Sequence, residues 1–85
     1  YRISSAYPNP FNPSTSFNID LDNESFVSIK AYNIIGQLVA EVFSGNLNGV
    51  GNQITWDASS VSSGIYFVKV QVNNHLESQK VLLVK

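Results

Sequence analysis

Few residues in this chain could do chemistry. It holds one histidine, His75, and no cysteine. A Ser-His-Asp arrangement needs its histidine oriented rigidly by a third group, yet His75 follows Asn73-Asn74 between two apolar alternating runs and is expected in a hairpin loop. The missing cysteines remove disulfides and thiolate metal sites together. Asp20-Leu21-Asp22-Asn23-Glu24 offers oxygen ligands but lacks the glycine and the distant glutamate of an EF-hand loop. A turn between strands explains it more simply. Asn23-Glu24-Ser25 fits the N-glycosylation pattern, whereas Asn12-Pro13-Ser14 is excluded by its proline. Tyr7, Tyr32, Tyr66 and Trp56 could stack on sugar rings, but all except Tyr7 fall in expected strands, where core packing is the commoner use. No catalytic residue, metal site or cofactor is expected, and the chain is not expected to be an enzyme.

With 85 residues there is room for one domain. The chain is 44% hydrophobic and 13% charged, against roughly a quarter charged in ordinary globular proteins, so it reads as packed and not disordered. Lys and Arg number 5 and Asp and Glu 6, a net charge of −1. That balance provides no basic field for nucleic acid or an anionic membrane surface. No apolar run approaches the ~20 residues that span a bilayer, so membrane insertion is not expected. The first residues lack the charged start and apolar core of a signal peptide, which places any export signal upstream, in a longer chain.

The elements come from apolar alternation. Thr15 to Leu21 puts Phe17, Ile19 and Leu21 on one side of a strand, and Phe26 to Tyr32 does the same with Val27, Ile29 and Ala31. Leu38 to Phe43, Gln53 to Asp57, Ile65 to Val72 and Leu76 to Val84 follow, separated by Asn33-Ile34-Ile35-Gly36, a glycine-rich stretch from Ser44 to Asn52, and a polar loop from Ala58 to Ser63. Strands at this spacing, with no sustained helical period, predict an all-β antiparallel sandwich of about six or seven strands. Trp56, the largest apolar side chain, is expected at the core centre.

Strand parity sharpens the last hairpin. A two-residue turn at Asn73-Asn74 would set Val68, Val70 and Val72 opposite Gln79, Glu77 and His75, whereas a loop of Asn73-Asn74-His75 pairs Gln71 with Glu77 and Lys69 with Gln79. The odd loop is expected, with Asn74 in the left-handed conformation. The outer face then turns apolar at its far end, where Ile65, Phe67, Val81 and Leu83 meet. Such a patch is either covered by the chain, with Phe11 as the obvious cover, or used on a partner.

Every proline lies in Tyr7-Pro8-Asn9-Pro10-Phe11-Asn12-Pro13. Proline fixes φ, donates no backbone hydrogen bond and restricts the residue before it, so this stretch is extended or turning. Residues 1–14 read as an extended Pro/Asn-rich entry segment and residues 15–85 as the sandwich.

Taken in order, YPNPFNPSTSFNI, VSIKAYNIIGQLVAEV, SGIYFVKV and a closing QKVLLVK resemble the C-terminal sorting domain of proteins exported by the type IX (Por) secretion system of Bacteroidetes and related bacteria. The resemblance covers nearly all of the chain. It implies an immunoglobulin-like sandwich at the end of a larger secreted cargo protein in the same chain. It also implies recognition by an outer-membrane translocon and removal by a cell-surface sortase that attaches the mature protein to an anionic lipopolysaccharide. The cargo would reach the surface or the medium by way of the periplasm and outer membrane, with cleavage before Tyr1. The residues that carry over are Pro8, Asn9 and Pro10; Asn33, Gly36 and Gln37; Gly64 and Tyr66; and the tail Lys80, Val81, Leu82, Leu83, Val84 and Lys85. Together with Ile65 and Phe67, Gly64, Tyr66 and the tail are the candidate recognition residues. Gly36 and Gly64 are expected at turns of unusual φ. The opening and the GIYF strand also resemble the immunoglobulin-like domain of flagellar hook-capping proteins, so a retained spacer or a carbohydrate-binding module of a surface protein is the alternative.

Overall fold

The computed structural model describes residues 1–85. Its strands are β1 (Arg2–Ile3), β2 (Ser14–Asp20), β3 (Ser25–Tyr32), β4 (Leu38–Leu47), β5 (Asn52–Asp57), β6 (Gly64–Val72) and β7 (His75–Leu83). They form a three-stranded sheet, β1-β2-β5, facing a four-stranded sheet, β4-β3-β6-β7, with antiparallel pairing throughout. Lettered in chain order, this is an immunoglobulin-like sandwich with an extra strand beside the three of its second sheet.

Alternation places the core where the sequence predicts. Phe17 and Ile19 of β2 face Val27, Ile29 and Ala31 of β3 and Val68, Val70 and Val72 of β6, all buried. Trp56 is 4% exposed and lies between Phe11 and Tyr66, with ring centroids 5.5 and 5.6 Å away. Two elements differ from expectation. β4 runs on through Ser44–Leu47 because Gly45, opposite Val27, leaves its inward position to the Phe43 ring beside it. β1 is too short to show periodicity and exists only by pairing with Ile19 and Asp20.

The last hairpin corrects the sequence reading. Its turn is the two-residue Asn73-Asn74, Val72 stands opposite His75, Val70 opposite Glu77 and Val68 opposite Gln79. It is Asn73, and not Asn74, that takes positive φ, at +51°, a conformation Asn tolerates better than most residues. His75 is therefore the first residue of β7 and not a loop residue. The register is decided at the other end of β7: Val81 and Leu83 are 1% and 0% exposed, inside the core. A one-residue slip would bring them out and turn Lys80 inward, and an unpaired buried ammonium is far too costly. The polar residues opposite the valines meet the entry segment, with His75 and Glu77 still exposed and Gln79 half-buried. Tyr1 stacks at 5.3 Å on His75 and donates to Glu77 at 3.1 Å, and Gln79 accepts from the Ala6 N–H and donates to the Ser4 carbonyl, both at 2.8 Å.

The expected outer patch is corrected with it. Val81 and Leu83 belong to the core, and the outward neighbours of Ile65 and Phe67 on β7 are Leu82 and Lys80. Phe11 does not lie over the outer face either; it is buried against Trp56.

Candidate functional site

Three local devices build one end of the four-stranded sheet. The first is the turn after β3. The Asn33 side chain accepts from the Ile35 and Gln37 N–H groups at 3.1 and 2.9 Å and donates to Gln37 Oε1 at 2.9 Å. Such Asx geometry replaces the backbone pairing that a strand would supply. Gly36 closes the turn at φ +85°, open to glycine at no steric cost. Ile34 and Ile35 are left pointing into solvent.

The second device starts β6. Gly64 enters the strand at φ +154°, and parity then sends Ile65 and Phe67 outward and Tyr66 inward. The Tyr66 hydroxyl donates to the Ser62 carbonyl. A tyrosine near the start of this strand that bonds back to the preceding backbone is the tyrosine corner of immunoglobulin-like sandwiches. Tyr66 thus fixes the loop from which Ile65 emerges.

The third holds the outer edge of β7. An edge strand presents unpaired N–H and C=O groups that can recruit another strand. Here the entry segment occupies them. Asn9 Oδ1 accepts from the Leu82 N–H at 3.0 Å, and Asn9 Nδ2 donates to the Lys80 carbonyl at 3.1 Å. Two residues on, the Phe11 N–H donates to the Leu82 carbonyl and the Val84 N–H to the Phe11 carbonyl, each at 2.9 Å. Pro8 and Pro10 carry no N–H, so the outer side of this strap offers little to a further strand. Beyond β7, the Lys85 N–H donates to Ser63 Oγ at 2.9 Å and its Nζ to the Ser59 carbonyl at 2.7 Å.

The Pro-Asn opening, the Asn33–Gln37 turn, the start of β6 and the tail therefore converge. Two shallow grooves meet there. One, of about 320 Å³, is lined by Asn9, Pro10, Ile65, Lys80, Val81 and Leu82. The other, of about 200 Å³, is lined by Asn33, Ile34, Ser63, Gly64, Ile65 and Tyr66. Ile65, 40% exposed, belongs to both, and its cross-strand partner Leu82 is 39% exposed. Of the candidate recognition residues, Ile65, Lys80, Leu82, Val84 and Lys85 are exposed and Phe67 is half-buried, while Tyr66, Val81 and Leu83 are core. Phe11 and Gln79 hold this end together without having been among the candidates. Gln79 is the last of three polar residues, after His75 and Glu77, at inward positions of β7, and no local sequence signal sets it apart.

Asp57 closes this end from the other sheet. Its carboxyl is held below the usual aspartate value, first by the Ser59 N–H, which it accepts at 3.0 Å, then by the Ser59 hydroxyl and the Lys85 ammonium.

The fold and this end of it define an immunoglobulin-like sandwich that carries shallow, largely apolar grooves framed by pinned backbone. The family model for the secretion system C-terminal sorting domain matches residues 5–85, and the chain belongs to that family of type IX sorting signals. Its members serve as signals and not as catalysts. A search of the curated proteins finds no match.

Proposed function

We propose that this domain directs a cargo protein, joined to it on its N-terminal side, through the outer membrane by engaging the type IX translocon with the surface around Ile65 and Leu82. Residues 1–14 form the junction with the cargo and are strapped to the sandwich of residues 15–85 by Asn9 and Phe11. After passage a cell-surface sortase removes the domain and attaches the cargo to an anionic lipopolysaccharide. The observation that supports this reading is the convergence of all four motif segments of the family on one end of one sheet. Core packing alone does not require four exposed or half-exposed segments to meet.

Deleting Lys80–Lys85 is a poor test, since it removes Val81 and Leu83 from the core. The sharper test fuses an exported fluorescent reporter to residues 1–85 in a type IX-competent bacterium, beside Ile65→Ser/Leu82→Ser. The unmodified fusion is expected at the surface or in the medium, and the variant in the periplasm with its purified domain still folded. Retention of both in the periplasm would make the domain a structural spacer.

A further inference from the structure

The outer face of the four-stranded sheet carries a charge pattern that stability does not explain. Register sets Leu38, Tyr32, Phe67 and Lys80 side by side across the sheet, with Ile65 and Leu82 beyond them. The adjacent row toward the hairpin is Glu41, Lys30, Lys69 and Ser78. Lys30 and Lys69 are direct cross-strand partners, an arrangement that costs stability. No side chain on this face makes an ion pair, since the structure's single ion pair involves Asp22 at the other end of the molecule. Lys69 turns instead over the Tyr32 ring, 4.7 Å from its centroid. Glu41 is the one carboxylate here. Asp20 and Asp57 lie on the opposite sheet, Asp22 and Glu24 in the β2–β3 turn, and Glu77 on the inward side of β7 against Tyr1. Glu41 opposite Lys30 and the Tyr32 ring under Lys69 offset only part of this charge, and a local rule broken at a surface is expected where that surface has a function.

We propose that this face docks an acidic segment of a partner protein in the export machinery, with carboxylates on Lys30, Lys69 and Lys80 and an apolar side chain in the groove between Pro10, Ile65 and Leu82. The inference rests on the sorting reading and gives its partner a chemistry. Charge complementarity carries it: these lysines are unpaired and set beside an exposed apolar pair. A lipid surface fits less well. Lipid-binding basic clusters bring about four to eight Lys or Arg together, more than this face holds, and a flat anionic surface would also meet the net charge of −1. A narrow segment meets the lysines alone.

The test is a charge series at two exposed positions in the reporter fusion: Lys69→Arg/Lys80→Arg, Lys69→Gln/Lys80→Gln and Lys69→Glu/Lys80→Glu. The secreted fraction should stay within about twofold of the unmodified fusion for the Arg pair, fall for the Gln pair and fall at least tenfold for the Glu pair, with each purified domain still folded at the temperature of the export assay. Unimpaired export of a folded Glu pair overturns the inference and leaves the sorting reading standing. If even the unmodified fusion is not exported, the sorting reading fails, and binding by the purified domain decides. A twelve-residue alternating Asp-Leu peptide should bind at least tenfold more tightly than its Lys-Leu counterpart and lose that preference in the Glu pair. Equal binding of both peptides, or co-sedimentation with phosphatidylglycerol vesicles in preference to the Asp-Leu peptide, overturns the docking proposal.

Discussion

Asn9 and Leu82 are paired as though Asn9 were a strand residue lying on its side: its side-chain amide, and not its backbone, accepts the Leu82 N–H at 3.0 Å while donating to the Lys80 carbonyl. An amide side chain reproduces the donor and acceptor of a peptide group at a place where the flanking prolines deprive the backbone of donors. Asn9→Ala should lose both bonds. At about 0.5 to 1.5 kcal/mol net for each, with exposure favouring the low end, the loss is about 1 to 2 kcal/mol. A domain of this size shifts its thermal midpoint by roughly 4–8 °C per kcal/mol. Calorimetry that finds Asn9→Ala indistinguishable from the unmodified domain would mean that the strap does not stabilise the fold.

The register of β7 makes a second prediction that separates neighbours in sequence. Leu83 is fully buried and bridges to Phe11, whereas Leu82 faces outward beside Ile65. Leu83→Ala should cost about 2–5 kcal/mol, the range for a core leucine, and Leu82→Ala less than about 1 kcal/mol, as for a half-exposed side chain. Urea unfolding measures both, and a reversed order would restore the three-residue hairpin loop.

That hairpin shows where the sequence stops being legible. Phe17 and Ile19, or Val27, Ile29 and Ala31, alternate with polar residues and so declare their face. Val81-Leu82-Leu83-Val84 is apolar at every position and declares nothing. Parity then had to be inferred from the hairpin end, where His75, Glu77 and Gln79 look like an outer face. At the inward positions of β7 they meet Tyr1 and the Ser4–Ala6 backbone, so that His75 and Glu77 stay exposed and only Gln79 is half-buried. No local pattern reveals a partner some 75 residues away in sequence. The motif segments were legible individually, but the convergence of Asn9, Ile34, Ile65 and Leu82 is a property of the register.

Tyr66 and Trp56 make a third prediction. Tyr66→Phe keeps the edge-on contact with Trp56 but strands the Ser62 carbonyl. A loss of about 1 kcal/mol is expected, with Trp56 emission still that of a buried indole. Trp56 is also the cheapest check on carbohydrate binding. Enclosed by Phe11 and Tyr66, its fluorescence should not respond to polysaccharide. A ligand-dependent shift would reopen the binding-module alternative.

Asp57 and Lys85 give the last prediction, in which pH reports on the tail. The Asp57 carboxyl titrates below its ordinary value of 3.8, chiefly through the Ser59 N–H, then the Ser59 hydroxyl, with the Lys85 ammonium adding to the effect. A depressed folded-state value means that the native state holds the carboxylate more strongly than the unfolded chain does. Its contribution to stability is therefore present in full above the unfolded value, and is lost as pH falls below about 3.8 and through the folded one. Asp57→Asn should flatten the stability profile in that acid window and leave it unchanged near pH 7 except for the altered turn. Because Lys85 reaches the Ser59 carbonyl at 2.7 Å, Lys85→Ala should raise the Asp57 titration midpoint part of the way back, read directly from its carboxyl carbon by NMR. An unmoved midpoint would mean that the tail does not rest on the β5–β6 loop in solution. The exposed end of the sheet would then lack one of the contacts that hold its shape.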